Sequence, residues 1–305
     1  MSEDVESATA CEVAVVIVTH NSRDTIGACL DSLDEGMKGI AGWKVVVVDN
    51  NSSDDTLNVT REARTDVEVV QTGRNAGYAA AINMGTAHCA DSSAVLILNP
   101  DVQLGAGCAV ALLDVLEPPG VGIAVPPLLD ADGSLSMSQR RRPTVVRALA
   151  ESLIGATRVS GVGTLGEIVG DAAQYEARRP VDWATGALMM VSRRCLDEVG
   201  DWDESFFLYS EETDFCLRAS DHGYATWFTP EGASVHIGGD STVSPYLWSL
   251  VASNRVLAYR KRHGRVATLL FRLALLLGEL LRSVGGSPRH RAAVAALCGR
   301  PVIRV

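Results

Sequence analysis

Apolar runs that end in polar clusters recur through the first 130 residues of the chain. Four of these runs have the length of a strand and are rich in Val, Ile and Leu: residues 13–18, 44–48, 67–70 and 94–98. The stretches between them favour helices, the first with Ile26, Leu30 and Leu33 at helical spacing. This alternation predicts a mostly parallel sheet with helices on both faces. The polar strand ends should then converge on one crevice.

The pattern continues less regularly after residue 100. A helix is predicted over 105–116 and a strand over 121–125, and the character changes after Pro127. Residues 150–180 are rich in Gly, Ser and Arg with weak periodicity, which favours an irregular excursion, such as a lid. Beyond residue 180 the sequence again predicts regular elements. The predicted strands are 187–191, 225–228 and 233–237, and the predicted helices are 193–199 and 211 to about 222.

The C-terminal part, from about residue 246, has a helical pattern. Residues 266–284 form a wide apolar face with a narrow seam of polar residues, among them Arg272 and Glu279. These two charges argue against a membrane span. The face would instead pack on the core, form a dimer contact or lie in a membrane interface.

Composition and charge narrow the class of protein. The chain has 305 residues, 47% apolar and 21% charged, which is sufficient for a buried core. A net charge of −10 argues against a nucleic-acid binder. The seven cysteines are scattered without a CxxC pair, which excludes a zinc knuckle and favours a reducing cytoplasm. Residues 1–11 are acidic and polar, so we expect a loose tail and no signal peptide.

The segment Asn99-Pro100-Asp101 ends the fourth apolar run. Pro100 cannot continue a central strand, so Asp101 is predicted at the sheet edge. A carboxylate there is suited to a divalent cation, although an ordinary turn explains the tripeptide equally well. His236 follows a short predicted strand and would complete such a site with Asp101, since imidazole suits manganese.

Other polar clusters also have a functional and a structural interpretation. Asp49 would accept a hydrogen bond from a nucleotide base or ribose, or would cap the next helix. Gly77 would let the backbone approach a ligand, beside Arg74. The acidic cluster Glu211, Glu212 and Asp214 would either satisfy a helix N-terminus or supply a general base, Glu212 or a neighbour, whose pKa aromatic packing would raise.

Seven segments, in order, resemble the inverting GT-A glycosyltransferases of family two, rhamnosyltransferase branch: residues 19–22, 48–54, 75–83, 98–101, 185–187, 211–218 and His236. The resemblance covers about residues 12–240. It implies a GT-A catalytic domain with a nucleotide-sugar half (12–127) and an acceptor half (128–240), followed by a helical C-terminal extension (241–305).

The resemblance also implies the role of each matched position. Glu212 would be the catalytic base, where the family usually has Asp. Asp101, with His236, would hold a divalent metal, Mg²⁺ or Mn²⁺, that bridges the donor diphosphate. The nucleotide-sugar would be held by Thr19, Asn21, Asp49, Arg74, Asn75, Gly77, Asn99 and Asp101. The acceptor or sugar pocket would contain Trp183, Thr185, Gly186, Glu211 and Asp214. The basic run at residues 140–142 would meet a lipid-linked pyrophosphate or be a solvated loop.

One departure concerns the metal site, because the family's acidic triplet begins with Asp and this chain has Asn99. The negative charge at the site is therefore lower by one. The implied reaction transfers a sugar, with dTDP-rhamnose as the expected donor, to a saccharide or lipid-linked acceptor in cell-envelope polysaccharide synthesis. The implied location is the cytoplasm, with peripheral contact to the membrane as an option.

Three alternatives stay open at this point. The first is a UDP-sugar-dependent transferase of the same fold, because strand-end residues do not separate thymine from uracil. The second is a nucleotidyltransferase, against which the lack of a Gly-rich phosphate loop at residues 19–26 counts. The third is a non-catalytic nucleotide-sugar-binding protein, against which the intact acidic cluster counts.

Overall fold

The computed structural model describes residues 11–238 and 244–300, so the predicted tail lies almost wholly outside the described residues. The strands are β1 (Val13–Thr19), β2 (Trp43–Asp49), β3 (Val67–Gln71), β4 (Ala94–Leu98), β5 (Val102–Gln103), β6 (Val121–Val125), β7 (Leu128–Leu129), β8 (Leu135–Ser136), β9 (Gln139–Arg140), β10 (Arg179–Val181), β11 (Trp183–Ala184), β12 (Leu188–Ser192), β13 (Ala225–Phe228) and β14 (Ser234–His236).

The α-helices are α1 (Ile26–Asp31), α2 (Leu33–Gly36), α3 (Thr56–Ala63), α4 (Tyr78–Ala87), α5 (Cys108–Leu116), α6 (Val145–Ile154), α7 (Ala156–Ser160), α8 (Arg193–Val199), α9 (Glu211–Asp221), α10 (Pro245–Arg262), α11 (Arg265–Ser283) and α12 (Pro288–Leu297). A 3₁₀ turn covers Ala172–Tyr175.

An eight-stranded sheet forms the centre of the fold, in the order β10-β13-β6-β12-β4-β1-β2-β3. Strands β3, β2, β1 and β4 run parallel to one another, as do β6 and β13. Strand β12 lies antiparallel between β4 and β6, and β10 is antiparallel at one edge. The predicted α/β architecture with a mostly parallel sheet and C-terminal helices is confirmed.

The continuous apolar runs follow from burial of both faces of the sheet. Within β1, Val16 packs in the core on one face and Ile17 in the core on the other, because successive side chains of a strand point to opposite sides. All seven residues of β1 are buried. The four parallel strands therefore present their carboxyl ends, rather than their faces, to a ligand.

A smaller sheet, in the order β5-β14-β7-β8, lies next to those carboxyl ends. Within it, His236 of β14 pairs in register with Val102 of β5. This pairing places His236 beside Asp101, which directly precedes β5. Two distant parts of the sequence therefore meet at the end of β4.

A third core joins α6 to the three C-terminal helices. Phe271 of α11 is fully buried there, stacked on Tyr259 of α10 with ring centroids 4.1 Å apart. The Arg255 guanidinium of α10 contacts Glu151 of α6 at 3.2 Å and Glu167 at 2.7 Å. None of the described helices combines the length and apolarity that crossing a bilayer requires.

The prediction of an irregular excursion over 150–180 is wrong in its first part. Helix α6 begins at an N-cap where the Thr144 hydroxyl accepts from the Arg147 amide, and it continues to Ile154. Its Ser152 donates to the Ala274 carbonyl of α11 at 2.7 Å. The helical pattern is obscured in the sequence because α6 buries small and polar residues against α11 and leaves Leu149 and Leu153 exposed.

Candidate active site

The ends of β1 and β2 are joined by a buried carboxylate. The Thr19 hydroxyl donates to Asp49 at 3.2 Å, and the Ser52 amide donates to the same carboxylate at 3.1 Å. Thr19 and Asp49 are fully buried. In this arrangement the two buried side chains orient the 50–53 loop, and their direct contact with a nucleotide stays a prediction.

Asn21 supports the same loop from the other side. It has a left-handed backbone, and its side-chain oxygen accepts from the Ser53 amide at 2.8 Å. Arg74 is exposed, and its side chain makes no hydrogen bond or ion pair within the described parts of the chain. Arg74 is therefore available to a ligand at this edge, whereas the Asn21 oxygen is already engaged.

Asn50, which was not among the predicted site residues, connects the end of β2 with the loop before α4. Its amide group donates to Asn75 at 3.0 Å and to the Gly77 carbonyl at 3.1 Å, while its oxygen accepts from the Ala76 amide at 2.8 Å. Asn50 is almost fully buried. A buried amide that satisfies backbone groups on a neighbouring loop fixes that loop. The signal was present in the sequence as a polar residue directly after a buried strand.

The backbone at Gly77 approaches another part of the protein, not open space for a ligand. Gly77 has φ +96°, and a Cβ there would lie 2.6 Å from the Phe207 carbonyl oxygen. The next residue, Tyr78, donates its amide to that same carbonyl at 2.8 Å. The glycine therefore lets α4 begin against the segment that precedes α9, and its approach to a ligand stays a prediction.

Asn99 is held by Tyr78, whose hydroxyl donates to the Asn99 side-chain oxygen at 2.6 Å. Burial raises the pKa of Tyr78 well above its ordinary value, and the nearby carboxylates of Glu211, Glu212 and Asp101 raise it further. The Tyr78 hydroxyl therefore stays protonated and stays a donor. Two of these carboxylates begin α9, and the third follows the end of β4.

Asp101 and His236 form the pair of side chains best suited to a metal. His236 Nε2 lies 3.3 Å from Asp101 Oδ1, a buried oxygen that receives no hydrogen bond of ordinary geometry. The Gly238 backbone is packed so closely that a Cβ there would collide with the Asp101 carboxylate. One carboxylate and one imidazole fit Mg²⁺ or Mn²⁺, which commonly take their other ligands from phosphate and water. The described segments contain no group of three His, Cys, Asp or Glu side chains that would hold a metal without them.

Glu211 and Glu212 begin α9 after two residues with left-handed backbones, Tyr209 (φ 71°) and Ser210 (φ 74°). Burial raises the pKa of Glu212, and the Arg140 charge partly opposes this shift. Burial and the Glu212 charge raise the pKa of Glu211 well above its usual range, and Glu211 Oε2 has no hydrogen-bond partner. Two adjacent carboxyl groups in this environment favour sharing a proton, which leaves one of them as a base.

Gly186 lies directly against Glu212. A Cβ added at Gly186 would be 3.2 Å from the Glu212 Cβ and 3.8 Å from its carboxyl carbon. The Gly186 carbonyl lies 3.5 Å from the Tyr78 hydroxyl. Gly186 thus forms the wall between the end of β4 and the start of α9, while Thr185 is half-buried and donates its amide to Ser138 at 3.1 Å.

Two of the predicted pocket residues have structural partners instead. Trp183 is 7% exposed, and its indole N–H donates to the Arg141 carbonyl at 3.0 Å. Asp214 is 3% exposed and accepts from Arg218 at 2.8 Å, one helical turn away. The polar atoms of these two side chains are therefore engaged within the fold, and their contact with sugar or acceptor stays a prediction.

The basic run at 140–142 is also engaged within the protein. Arg140 donates to the Met137 and Gln139 carbonyls, and Arg141 donates to those of Gly166 and Ile168. Arg142 donates to Ser220 Oγ at 2.6 Å. The three arginines therefore make contacts within the fold, and their contact with a lipid-linked pyrophosphate stays a prediction. The positive charge of Arg140 also acts on Glu212, whose pKa it lowers.

Two models of glycosyltransferase families match the sequence over adjoining stretches. "Glycosyl transferase family 2" matches residues 14–159 and "Glycosyl transferase family group 2" matches residues 149–294. Together they cover the central sheet, the α9 carboxylates and most of the C-terminal helices.

Relatives and a solved structure agree with these matches. An N-acetylglucosaminyl-diphospho-decaprenol L-rhamnosyltransferase of Mycobacterium tuberculosis is 29% identical, over 75% of this chain and 76% of its own. The rhamnosyltransferase WbbL of Escherichia coli K12 is 24% identical, over 82% and 94%. A mannosyltransferase of Pyrobaculum calidifontis, solved with GDP-Man and Mn²⁺, shares the fold with a TM-score of 0.59, 18% identity, and coverage of 94% and 79%.

Together, the sheet, the carboxylates at its edge and these similarities define a glycosyltransferase with the GT-A fold. The matches and relatives support a rhamnosyltransferase-like protein of glycosyl transferase family 2. Such enzymes use a nucleotide-sugar donor and a saccharide or lipid-linked acceptor.

Proposed function

We propose that this enzyme transfers a sugar, with inversion, from a nucleoside-diphosphate donor, and that the donor is dTDP-rhamnose. The observation that carries the chemistry is the position of Glu212, against Gly186 and within the electrostatic reach of Tyr78 at the end of β4. The sugar is inferred from the rhamnosyltransferases among the relatives.

The reaction is a single displacement in which Glu212 acts as the general base. An acceptor hydroxyl gives its proton to the Glu212 carboxylate as its oxygen attacks the anomeric carbon, and the bond to the nucleoside diphosphate breaks. Burial raises the pKa of both Glu211 and Glu212, so the pair favours one shared proton, and we assign the remaining charge to Glu212. A base with a raised pKa takes a proton more readily than an ordinary carboxylate.

Asp101 and His236 are the residues that would hold a divalent metal, Mg²⁺ or Mn²⁺. The bound metal would supply positive charge to the leaving diphosphate. Asn99, fixed by the Tyr78 hydroxyl, keeps its side-chain amide available for a ribose or a phosphate-bound water. Arg74 is placed to reach the base or a phosphate. Thr19, Asn21, Asp49 and Asn75 act indirectly, by fixing the loops between those groups.

The acceptor is proposed to be a saccharide or lipid-linked saccharide used in cell-envelope polysaccharide synthesis, with the enzyme acting in the cytoplasm. The decaprenol-linked acceptor in the name of the mycobacterial relative supports this class. The division into a nucleotide-sugar half (12–127), an acceptor half (128–240) and an extension (241–305) remains part of the proposal. Helix α6, in the acceptor half, shares its core with the extension.

A donor comparison tests the proposal most directly. Binding of dTDP, UDP, GDP and ADP would be measured with and without Mn²⁺, followed by turnover of dTDP-rhamnose and UDP-sugars. We expect metal-dependent preference for dTDP and turnover of dTDP-rhamnose that Glu212→Gln reduces by 10²- to 10⁴-fold. Preference for UDP would overturn the choice of donor but keep the mechanism. Unchanged turnover of the Glu212→Gln enzyme would overturn the assignment of the base.

A further inference from the structure

Helices α6 and α11 leave apolar side chains exposed on either side of their mutual contact. On α11 the exposed apolar residues recur every three or four positions, which places them on one face: Val266, Leu269, Leu270, Leu273, Leu277, Leu280 and Leu281, with Val284 just beyond its end. Helix α6 exposes Val146, Leu149, Leu153 and Ile154. We refer to these twelve residues as the α6–α11 face.

The two rows of side chains form one surface because the helices touch between them. Ser152 of α6 donates to the Ala274 carbonyl of α11, and a Cβ at Gly278 would lie 2.6 Å from Ser152 Oγ. Leu149 and Leu153 lie within one turn of Ser152, and Leu277 lies within one turn of Ala274. An apolar surface that combines two helices is larger than the isolated hydrophobic residues found on ordinary surfaces.

The two segments of the chain that contain this face have a net charge of opposite sign to the rest of the protein. Residues 145–165 and 265–300 contain eight arginines and two glutamates, a net charge of +6. The whole chain carries −10, so the remainder carries −16. Both glutamates, Glu151 and Glu279, are buried and engaged.

Within the described residues, no carboxylate neutralises the positive charges of the arginines in these two segments. Within the described ranges none of the eight forms an ion pair; Arg147, Arg272 and Arg282 donate to backbone carbonyls instead. Arg158, just after α6, and Arg265, at the start of α11, are exposed. An apolar face with exposed cations just after α6 and at the start of α11 is complementary to a bilayer with anionic headgroups.

We propose that the α6–α11 face binds the surface of a bilayer that contains anionic lipids, with α11 lying in the plane of the interface. A second copy of a chain with charge −10 is a poorer occupant, because its own α6–α11 face would bring the same uncompensated arginines into contact. This inference deepens the proposed lipid-linked acceptor, but it does not depend on the chemistry at Glu212. The contribution of α6 could not be predicted from residues 266–284 alone.

Vesicle co-sedimentation of the full chain, without donor or acceptor, tests the proposal. Vesicles would be pure phosphatidylcholine or a mixture with phosphatidylglycerol. We expect binding to the mixed vesicles that weakens in high salt, and much weaker binding to neutral vesicles. Leu149→Ser with Leu153→Ser on α6, and Leu273→Ser with Leu281→Ser on α11, should each reduce vesicle affinity about tenfold. Met84→Ser, at an exposed apolar residue on α4, is the matched control and should bind as the unaltered chain does.

A second pair of variants leaves the packing untouched. Arg158→Gln with Arg265→Gln should weaken binding to anionic vesicles several-fold and leave the melting temperature unchanged. The proposal is overturned if the unaltered chain fails to bind anionic vesicles, or if the α6 pair binds as tightly as the unaltered chain. It is also overturned if sedimentation velocity shows a dimer that the leucine variants dissociate, since the face would then belong to a second copy.

Discussion

The Asn254 side chain donates two hydrogen bonds to the turn before α9, to the Tyr209 carbonyl at 3.2 Å and to the Leu208 carbonyl at 2.9 Å. Tyr209 and the following Ser210 both have left-handed backbones, which non-glycine residues adopt rarely and at a cost of about 1 kcal/mol or more each. Asn254 belongs to α10, outside the segment that contains the active-site carboxylates. The C-terminal helices thereby fix the point from which Glu211 and Glu212 project.

The first prediction concerns this connection. Asn254→Ala should lower the free energy of unfolding by about 1–3 kcal/mol, because two carbonyls lose their donor. It should also reduce kcat more than it changes KM for the donor, since the turn positions Glu212 and does not contact the nucleotide. Ser253→Ala, one residue earlier in α10, is the control. Equal loss of kcat in both variants would show a general effect of α10 and contradict a specific role for Asn254.

Gly186→Ala tests the contact between the turn that precedes β12 and the proposed base, Glu212. A methyl group 3.2 Å from the Glu212 Cβ is tighter than ordinary packing, so the Glu212 side chain must shift. We expect kcat to fall about tenfold or more, with a change in unfolding free energy of about 1 kcal/mol or less. Gly161→Ala, where an added Cβ meets no atom within 4 Å, is the matched control and should retain full activity.

The raised pKa values of the glutamates predict two opposite pH effects. Because Glu212 must be ionised to act as base, kcat/KM should fall as the pH drops through a pKa above the ordinary 4.5. Stability should move the other way. The folded state holds the Glu211 proton more tightly than the unfolded state, so this contribution is complete below the unfolded pKa and is lost as the pH rises through the folded pKa.

Glu211→Gln separates these two effects. The neutral amide should remove the cost of a buried charge, so the variant should gain thermal stability at neutral and alkaline pH relative to the unaltered chain. Its kcat/KM should still fall at low pH, because Glu212 remains. Melting temperatures and kcat/KM over pH 4–9 measure both. Loss of turnover in Glu211→Gln but not in Glu212→Gln would exchange the roles of the two residues.

Asn99→Asp should strengthen metal-dependent binding of the donor nucleotide. It restores a negative charge near Asp101 and keeps an acceptor for the Tyr78 hydroxyl. We expect about a tenfold lower Kd for the nucleoside diphosphate with Mn²⁺, measured by calorimetry, and little change without metal. Asp101→Asn should remove the metal dependence. Equal affinities of the Asn99→Asp variant and the unaltered chain in Mn²⁺ would contradict a metal near this position.

The sequence by itself determined the parallel half of the sheet and the edge at which the polar residues gather. Buried parallel strands need continuous apolar runs, and such runs end where the polar residues begin, so β1 and β4 could be recognised locally. The same logic located Asp101, while Glu212 was singled out of its acidic cluster by the family resemblance.

Only the tertiary structure decided which polar residues remain available and which are engaged. Asp49, Trp183 and Asp214 resemble ligand contacts in the sequence, but their partners Thr19, Arg141 and Arg218 satisfy them within the fold. Asn254 lies 45 residues from Tyr209, and α6 buries small and polar residues against α11. Such relations depend on contacts between distant segments. The hydrophobic pattern of a segment indicates which of its own residues are buried, but it does not indicate which distant residues they contact.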